Sequence, residues 1–212
     1  MFPITHGLRR ARLPWGLVGA FGIGLLVESW VIRHALELTP LGPVNYLFAG
    51  RACREARDYE LICLGDSLVK HGVAPPVLET RLGRRTLNLA CVGGISPLTY
   101  FLLERSLASG AHPRALLVDF KATQLQSNPA TVERALAEVL LPNEWIDLSW
   151  AARDSALFGR LAVYGLLPSA RARLEVRSWI LANLGGLSNP FRDGNLVALR
   201  NWHVNSGAAL RE

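Results

Sequence analysis

Ser67 is the residue whose neighbours best suit it to nucleophilic chemistry. It follows Gly65 and Asp66 directly after the apolar run Leu61, Ile62, Cys63, Leu64. A serine hydroxyl attacks a carbonyl only when a base takes its proton and donors surround the oxyanion that forms. Gly65 permits a tight turn, and the Asp66 carboxylate can bind nearby backbone N–H groups and hold the loop. A second stretch, Arg85 to Ala90, empties into Cys91, Val92, Gly93, Gly94, Ile95, Ser96. A glycine pair after a strand lets backbone N–H groups approach a ligand with no Cβ in the way.

Candidate bases are scarce. His71 stands four residues after Ser67, and the two would share a face only if that loop were helical. Gly72 with Pro75 and Pro76 argues against a helix, so His71 is expected as an exposed or substrate-facing loop residue. His203 is the candidate near the C-terminus. The residue three before it is Arg200, which cannot orient an imidazole as a carboxylate does, and Asp193 is ten residues upstream. His112, before Pro113, reads as a loop histidine. Cys53, Cys63 and Cys91 follow neither a zinc nor a thioredoxin spacing and are expected as buried free thiols. The pattern implies no metal and no cofactor.

The elements that must position Ser67 alternate. Strands are expected at Tyr59 to Leu64, Arg85 to Ala90 and Ala115 to Phe120, the last with Leu116, Leu117 and Val118 suited to burial on both faces. Between them lie a helix from Pro75 to Leu82, stopped by Gly83, and a helix capped by Ser96 with Pro97 as its first residue. That order predicts an α/β fold with a three-layer α/β/α parallel sheet. From Pro129 only helical signals follow, over 131–141, 144–167 and 169–184. Gly185 and Gly186 close the last, and Asn189, Pro190, Asp193 and Gly194 mark the remaining tail as turns.

Half of the 212 residues are hydrophobic and the mean hydropathy is +0.21, high for a purely soluble chain. The excess lies at the N-terminus, where Leu13 to Val27 holds no charge and apolar character resumes at Trp30, Val31 and Ile32. About 20 such residues cross a bilayer. Arg9, Arg10 and Arg12 precede the run, and Trp15 and Trp30 stand near its ends as interfacial anchors, which puts the remainder outside the cytoplasm. A cleaved signal peptide and a buried soluble helix, kept open by Glu28 and four glycines, are the rival readings; no small-x-small cleavage site follows Val27. The expected organisation is a basic cytoplasmic tail (1–12), a signal-anchor helix (13–36), a linker and lead-in helix (37–58), an α/β core (59–128), a helical insertion (129–186) and a C-terminal tail (187–212). The net charge of +6 comes partly from Arg171, Arg173 and Arg177. These fit anionic headgroups or, more simply, a solvated helix face. No interleaving of basic and aromatic residues suggests nucleic acid.

Gly65, Asp66, Ser67 after an apolar strand, then Asn88, Leu89, Ala90 and Gly93, Gly94 at the end of the next, resembles the SGNH (GDSL-type) hydrolase superfamily. The likeness extends over about Tyr59 to Phe120 and is nearest the membrane-anchored, extracytoplasmic members linked to acylation or deacylation of cell-envelope polymers. It implies a flavodoxin-like sheet with Ser67 as nucleophile. Its own N–H would be the first oxyanion donor, the N–H of Gly93 or Gly94 the second, with Asp66 and Asn88 supporting the site. The implied chemistry is attack on an ester of an acylated carbohydrate or lipid-linked substrate, followed by transfer to water or a sugar hydroxyl.

Two blocks of that family are missing. Where Gly-x-Asn-Asp would follow the third strand, this chain has Asp119, Phe120, Lys121, Ala122, Thr123, Gln124, and neither Gln124 nor Asn128 sits in the motif. Asp-x-x-His is broken at Arg200. Either the chain is cut short of its remaining strands, as the thin sheet suggests, or it keeps the fold without a working triad.

Overall fold

The computed structural model describes residues 15–34, 38, 41–119, 132–185 and 190–208. The arginines at 9, 10 and 12 and the amides Gln124 and Asn128 lie outside them. Three parallel strands, β1 (Leu61–Gly65), β2 (Thr86–Asn88) and β3 (Ala115–Asp119), form a sheet in the order β2-β1-β3. Leu61 of β1 pairs with Thr86 on one side and Ala115 on the other. The chain is thus a mostly helical α/β domain around a small parallel sheet.

Strand periodicity sets the two faces of β1. Ile62 and Leu64 enter the main core, where they meet Val44 and Phe48 of α2 (Leu41–Ala52) and Leu98, Phe101 and Leu102 of α5 (Ser96–Ala108). Leu61 and Cys63 face a smaller cluster with Val69 of α3 (Ser67–Gly72) and Leu78 of α4 (Pro75–Leu82). Every residue of β1 is buried, as its apolar run requires. Gly83 stops α4 at φ +63, a left-handed position that glycine occupies without strain. Cys53, Cys63 and Cys91 are free and buried.

Several expectations are corrected. Within the segment 37–58, expected as a linker and a lead-in helix, the helix already begins at Leu41 and runs to Ala52; Gly42 and Pro43 fall in its first turn, where a missing N–H costs nothing. Ser96 lies inside α5 rather than capping it, the cap position being Ile95. β3 is not buried on both faces: Leu116 is 44% and Val118 49% exposed. Among the described residues the helices after it, α6 (Glu133–Val139), α7 (Pro142–Ala151) and α8 (Ser155–Leu166), dock on one another and on α2 rather than over Leu116 and Val118, while Leu117 packs on the smaller cluster. The tail is not a run of turns, because Pro190–Val204 forms a helix, α11. Proline at a first helical position is no breaker, and Ala198, Leu199 and Trp202 recur at helical spacing onto the core. Trp202 meets Phe48 edge to face, with centroids 5.7 Å apart.

The last helices reach back to the N-terminus. α1 (Trp15–Arg33) is long and apolar enough to cross a membrane. Its later turns meet α9 (Pro168–Arg171) and α10 (Arg173–Leu184). The Glu28 carboxylate accepts from the Ser169 backbone N–H at 2.9 Å and from its hydroxyl, and Trp30 meets Trp179 edge to face at 5.0 Å.

One ion pair ties α5 to α7. Arg105 Nε donates to Glu144 at 2.6 Å, its Nη2 donates to the Val139 carbonyl at 2.7 Å, and the same carboxylate accepts the Leu141 N–H at 2.7 Å. Glu144→Ala leaves a half-buried guanidinium without its carboxylate and a helix-end N–H without its acceptor. The expected loss is about 3–5 kcal/mol in urea unfolding of the detergent-solubilised protein. Asp58→Ala, which removes a surface contact to Arg57 at 3.8 Å, is expected to cost under about 1 kcal/mol.

Candidate active site

The end of β1 is a crowded junction. Gly65 has φ +147, and a Cβ there would sit 2.5 Å from the Asp119 carbonyl oxygen. Its own carbonyl accepts the Cys91 N–H at 3.1 Å. A Cβ on Gly94 would meet that same carbonyl oxygen at 2.6 Å. The three strand ends therefore close on one another only because glycine stands at 65 and 94.

From this junction Asp66 starts α3. Its side chain accepts the Leu68 N–H at 2.7 Å, its carbonyl accepts the Lys70 N–H at 3.0 Å, and it is buried. This N-cap overrides the sequence expectation of an irregular loop. Gly72 ends the helix and the prolines lie beyond Ala74, so neither interrupts it. Helix geometry now brings Ser67 and His71 to one face, a turn apart. Ser67 is half-buried and His71 is exposed.

The glycine turn after β2 is specific about its donors. Gly94 N–H donates to the Cys91 carbonyl at 2.9 Å, which spends it inside the turn. Gly93, at φ +69, keeps its N–H out of that bond. Among the described residues neither the Ser67 nor the Gly93 N–H is engaged. The Tyr46 hydroxyl holds the turn from the other side by donating to the Val92 carbonyl at 2.6 Å.

Asn88 does a different job from the one the resemblance implies. It is fully buried; its amide donates to the Val69 carbonyl at 3.0 Å and the Val73 carbonyl at 3.1 Å, and its oxygen accepts the Ala90 N–H at 3.0 Å. Both donors are used to fasten α3 to β2, and the side chain is out of a substrate's reach. His203 and Arg200 are exposed on α11, and His112 is exposed before β3. Among the described residues no cluster of metal-ligating side chains occurs. A cavity of about 820 Å3 lies elsewhere, between α7 and α8 against Ile146, Trp150 and Phe158.

The sequence pattern does not mark Lys70, yet it is the largest fully buried side chain. Its Nζ donates to the Gly207 carbonyl and stands 3.6 Å over the Trp202 ring. The Asn88 N–H donates to the Ser206 carbonyl at 2.9 Å, so the same turn is fastened to β2. The one advance signal is its spacing, since a residue three after Ser67 on a short helix shares that helix's inner side only if α3 forms.

Burial pushes Lys70 down to about 8 from 10.5, partly opposed by the neighbouring Cys91, whose own thiol burial pushes up to about 12. The folded state thus holds the Lys70 proton less tightly than the unfolded chain. The resulting penalty is complete below pH 8 and fades as the pH rises toward 10.5. Relative to Lys70→Met, the wild-type protein should gain about 1.4 kcal/mol of stability per pH unit in that window, read by urea unfolding. A difference that ignores pH would mean a solvated ammonium.

Comparison with protein families, with curated proteins and with solved structures returned no match for this chain. Its functional reading rests on the chemistry of its own residues.

Proposed function

We propose that this chain is a membrane-anchored, SGNH-like serine esterase or O-acyltransferase with an extracytoplasmic α/β domain. Its substrate would be an ester-linked acyl group on an envelope glycan or a lipid-linked carrier. The observation that carries the reading is Ser67 itself. It lies just beyond the central strand, where ligands bind in parallel sheets, and among the described residues neither its own N–H nor that of Gly93, in the turn after β2, is engaged. In this reading the flanking helix layers correspond to the flavodoxin-like arrangement, and α1 is the anchor.

Ser67 Oγ attacks the ester carbonyl while its proton passes to His71. The Ser67 and Gly93 N–H groups receive the oxyanion. Collapse expels the alkoxide, which takes the proton back, and leaves an acyl-serine. Water or a sugar hydroxyl then gives up its proton to the same imidazole and attacks the acyl carbon, and the imidazolium returns that proton to Ser67 Oγ as the serine leaves. Asp66 is a positioning residue, since its carboxylate shapes the turn that presents Ser67.

A second reading, a binding or scaffold protein without catalysis, is favoured by one observation. Arg200 and His203, which stand at the spacing of the missing acid and base, are chemically wrong for the role and face solvent. Labelling with a serine-directed fluorophosphonate separates the two. The enzyme reading expects modification of Ser67, lost in Ser67→Ala, and a fall of about 10²–10⁴-fold in labelling rate in His71→Ala. Unlabelled wild-type protein would leave the binding reading standing. Labelling that His71→Ala does not slow would remove His71 from the mechanism and keep Ser67.

A further inference from the structure

α10 is inside out for a helix on a soluble domain. Its one carboxylate, Glu175, and Val176 and Trp179 turn toward the protein, half-buried. The opposite side exposes Leu174 at 51%, Ile180 at 44%, Leu181 at 58% and Leu184 at 81%. Arg173 and Arg177 are exposed among them, and successive turns of the helix put all six on one face. Arg171 does not belong to this face; it turns inward to Glu138 at 3.5 Å. Leucine with flanking arginine on one exposed face is the pattern of a helix lying in a membrane interface, its guanidinium groups reaching up to phosphates.

α10 is also held at the right height. Trp15 to Val27 of α1 projects with no buried side chain, and contact with the domain begins at Glu28. At about 1.5 Å per residue Glu28 lies roughly 20 Å along the axis from Trp15. The hydrocarbon core is about 30 Å thick. If Trp15 marks one boundary, the elements fastened to Glu28 and Trp30 stand some 10 Å short of the other and must meet lipid.

We infer that the exposed face of α10 docks on the outer leaflet of the bilayer that α1 spans, with Arg173 and Arg177 on anionic headgroups. α10 is then a second membrane contact that fixes the tilt of the domain on its anchor. This rests on reading α1 as a transmembrane helix.

The test uses the full chain in phosphatidylglycerol nanodiscs, with spin labels introduced singly by Phe21→Cys, Leu181→Cys, Leu184→Cys and, on α5, Tyr100→Cys. Collisional accessibility to oxygen and to a water-soluble nickel chelate is read by electron paramagnetic resonance. The expected result is an oxygen-to-nickel ratio several-fold higher at 181 and 184 than at 100, falling when phosphatidylcholine replaces the anionic lipid. Water-like ratios at 181 and 184 with a lipid-like ratio at 21 overturn the docking alone. Water-like ratios at all of them overturn docking and anchor together. Labels at 181 and 184 shielded from both reagents would mean that protein, such as a second copy, covers the face, and would also overturn it. An unchanged ratio in phosphatidylcholine overturns the assignment of the arginines to anionic headgroups.

Discussion

The close approach of backbone at the end of β1 is the constraint from which the rest of the molecule follows. Gly65 lies against the Asp119 carbonyl on one side, and Gly94 lies against the Gly65 carbonyl on the other. A Cβ at either position would push strand ends apart by more than a side chain can yield. With the ends closed, Asp66 is left buried at the start of α3, where its side chain caps the helix. The cap makes α3 helical, the helix turns Ser67 to the junction, and Val69 and Lys70 go inward. Burial of an ammonium then demands acceptors, and the distant turn at Gly207 and the face of Trp202 provide them. A backbone contact of a few atoms thus dictates where residues well over a hundred positions away must return.

That return carries a cost. Depressing the Lys70 pKa by the amount given above corresponds to on the order of 3 kcal/mol against folding at neutral pH. Methionine of similar volume would avoid it. The geometry explains what the lysine achieves: a single ammonium at the centre of α3, α11 and β2 gives the last turn a defined seat. Asn88 acts in the same place with neutral chemistry, tying the two ends of α3 to β2 and offering its own N–H to Ser206. Between them the piece of chain that bears Ser67 is fixed from below, while its outer side remains half-open.

Elements fixed by local chemistry were legible in the sequence. The apolar run of β1, the proline pair that opens α4 and the glycine that stops it need no partner to be recognised, and all stand where the pattern predicts. What depends on distant partners was not. Leu116 and Val118 read as a doubly buried strand, but burial requires covering helices, and those that follow prefer α2. Pro190 and Gly194 read as turn makers because their propensity was weighed without the Trp202 that anchors α11. Around Ser67 the glycines and the turn were visible, whereas the helicity of α3 was hidden because Gly72 and the prolines outweighed a one-residue cap. Lys70 offered only its spacing from Ser67, a cue that has meaning once α3 is helical, and a lone lysine in sequence is ordinarily a surface residue.

Glu28 joins the N-terminal helix to α9. A carboxylate in the last third of an otherwise apolar helix is expensive in lipid unless it is met by donors. Here both of its oxygens are met from the start of α9, one by a backbone N–H and one by a hydroxyl. The first turn of a helix has N–H groups with no intrahelical partner, so α9 gains an acceptor where it lacks one. The pairing works in both directions, as α9 supplies donors to Glu28 and Glu28 holds α9 against α1. If α1 spans a bilayer as proposed, a helix held this close to it meets the boundary, where a polar outer face would drag in water. The leucines that α10 turns outward are therefore the complement of the carboxylate that α1 turns inward.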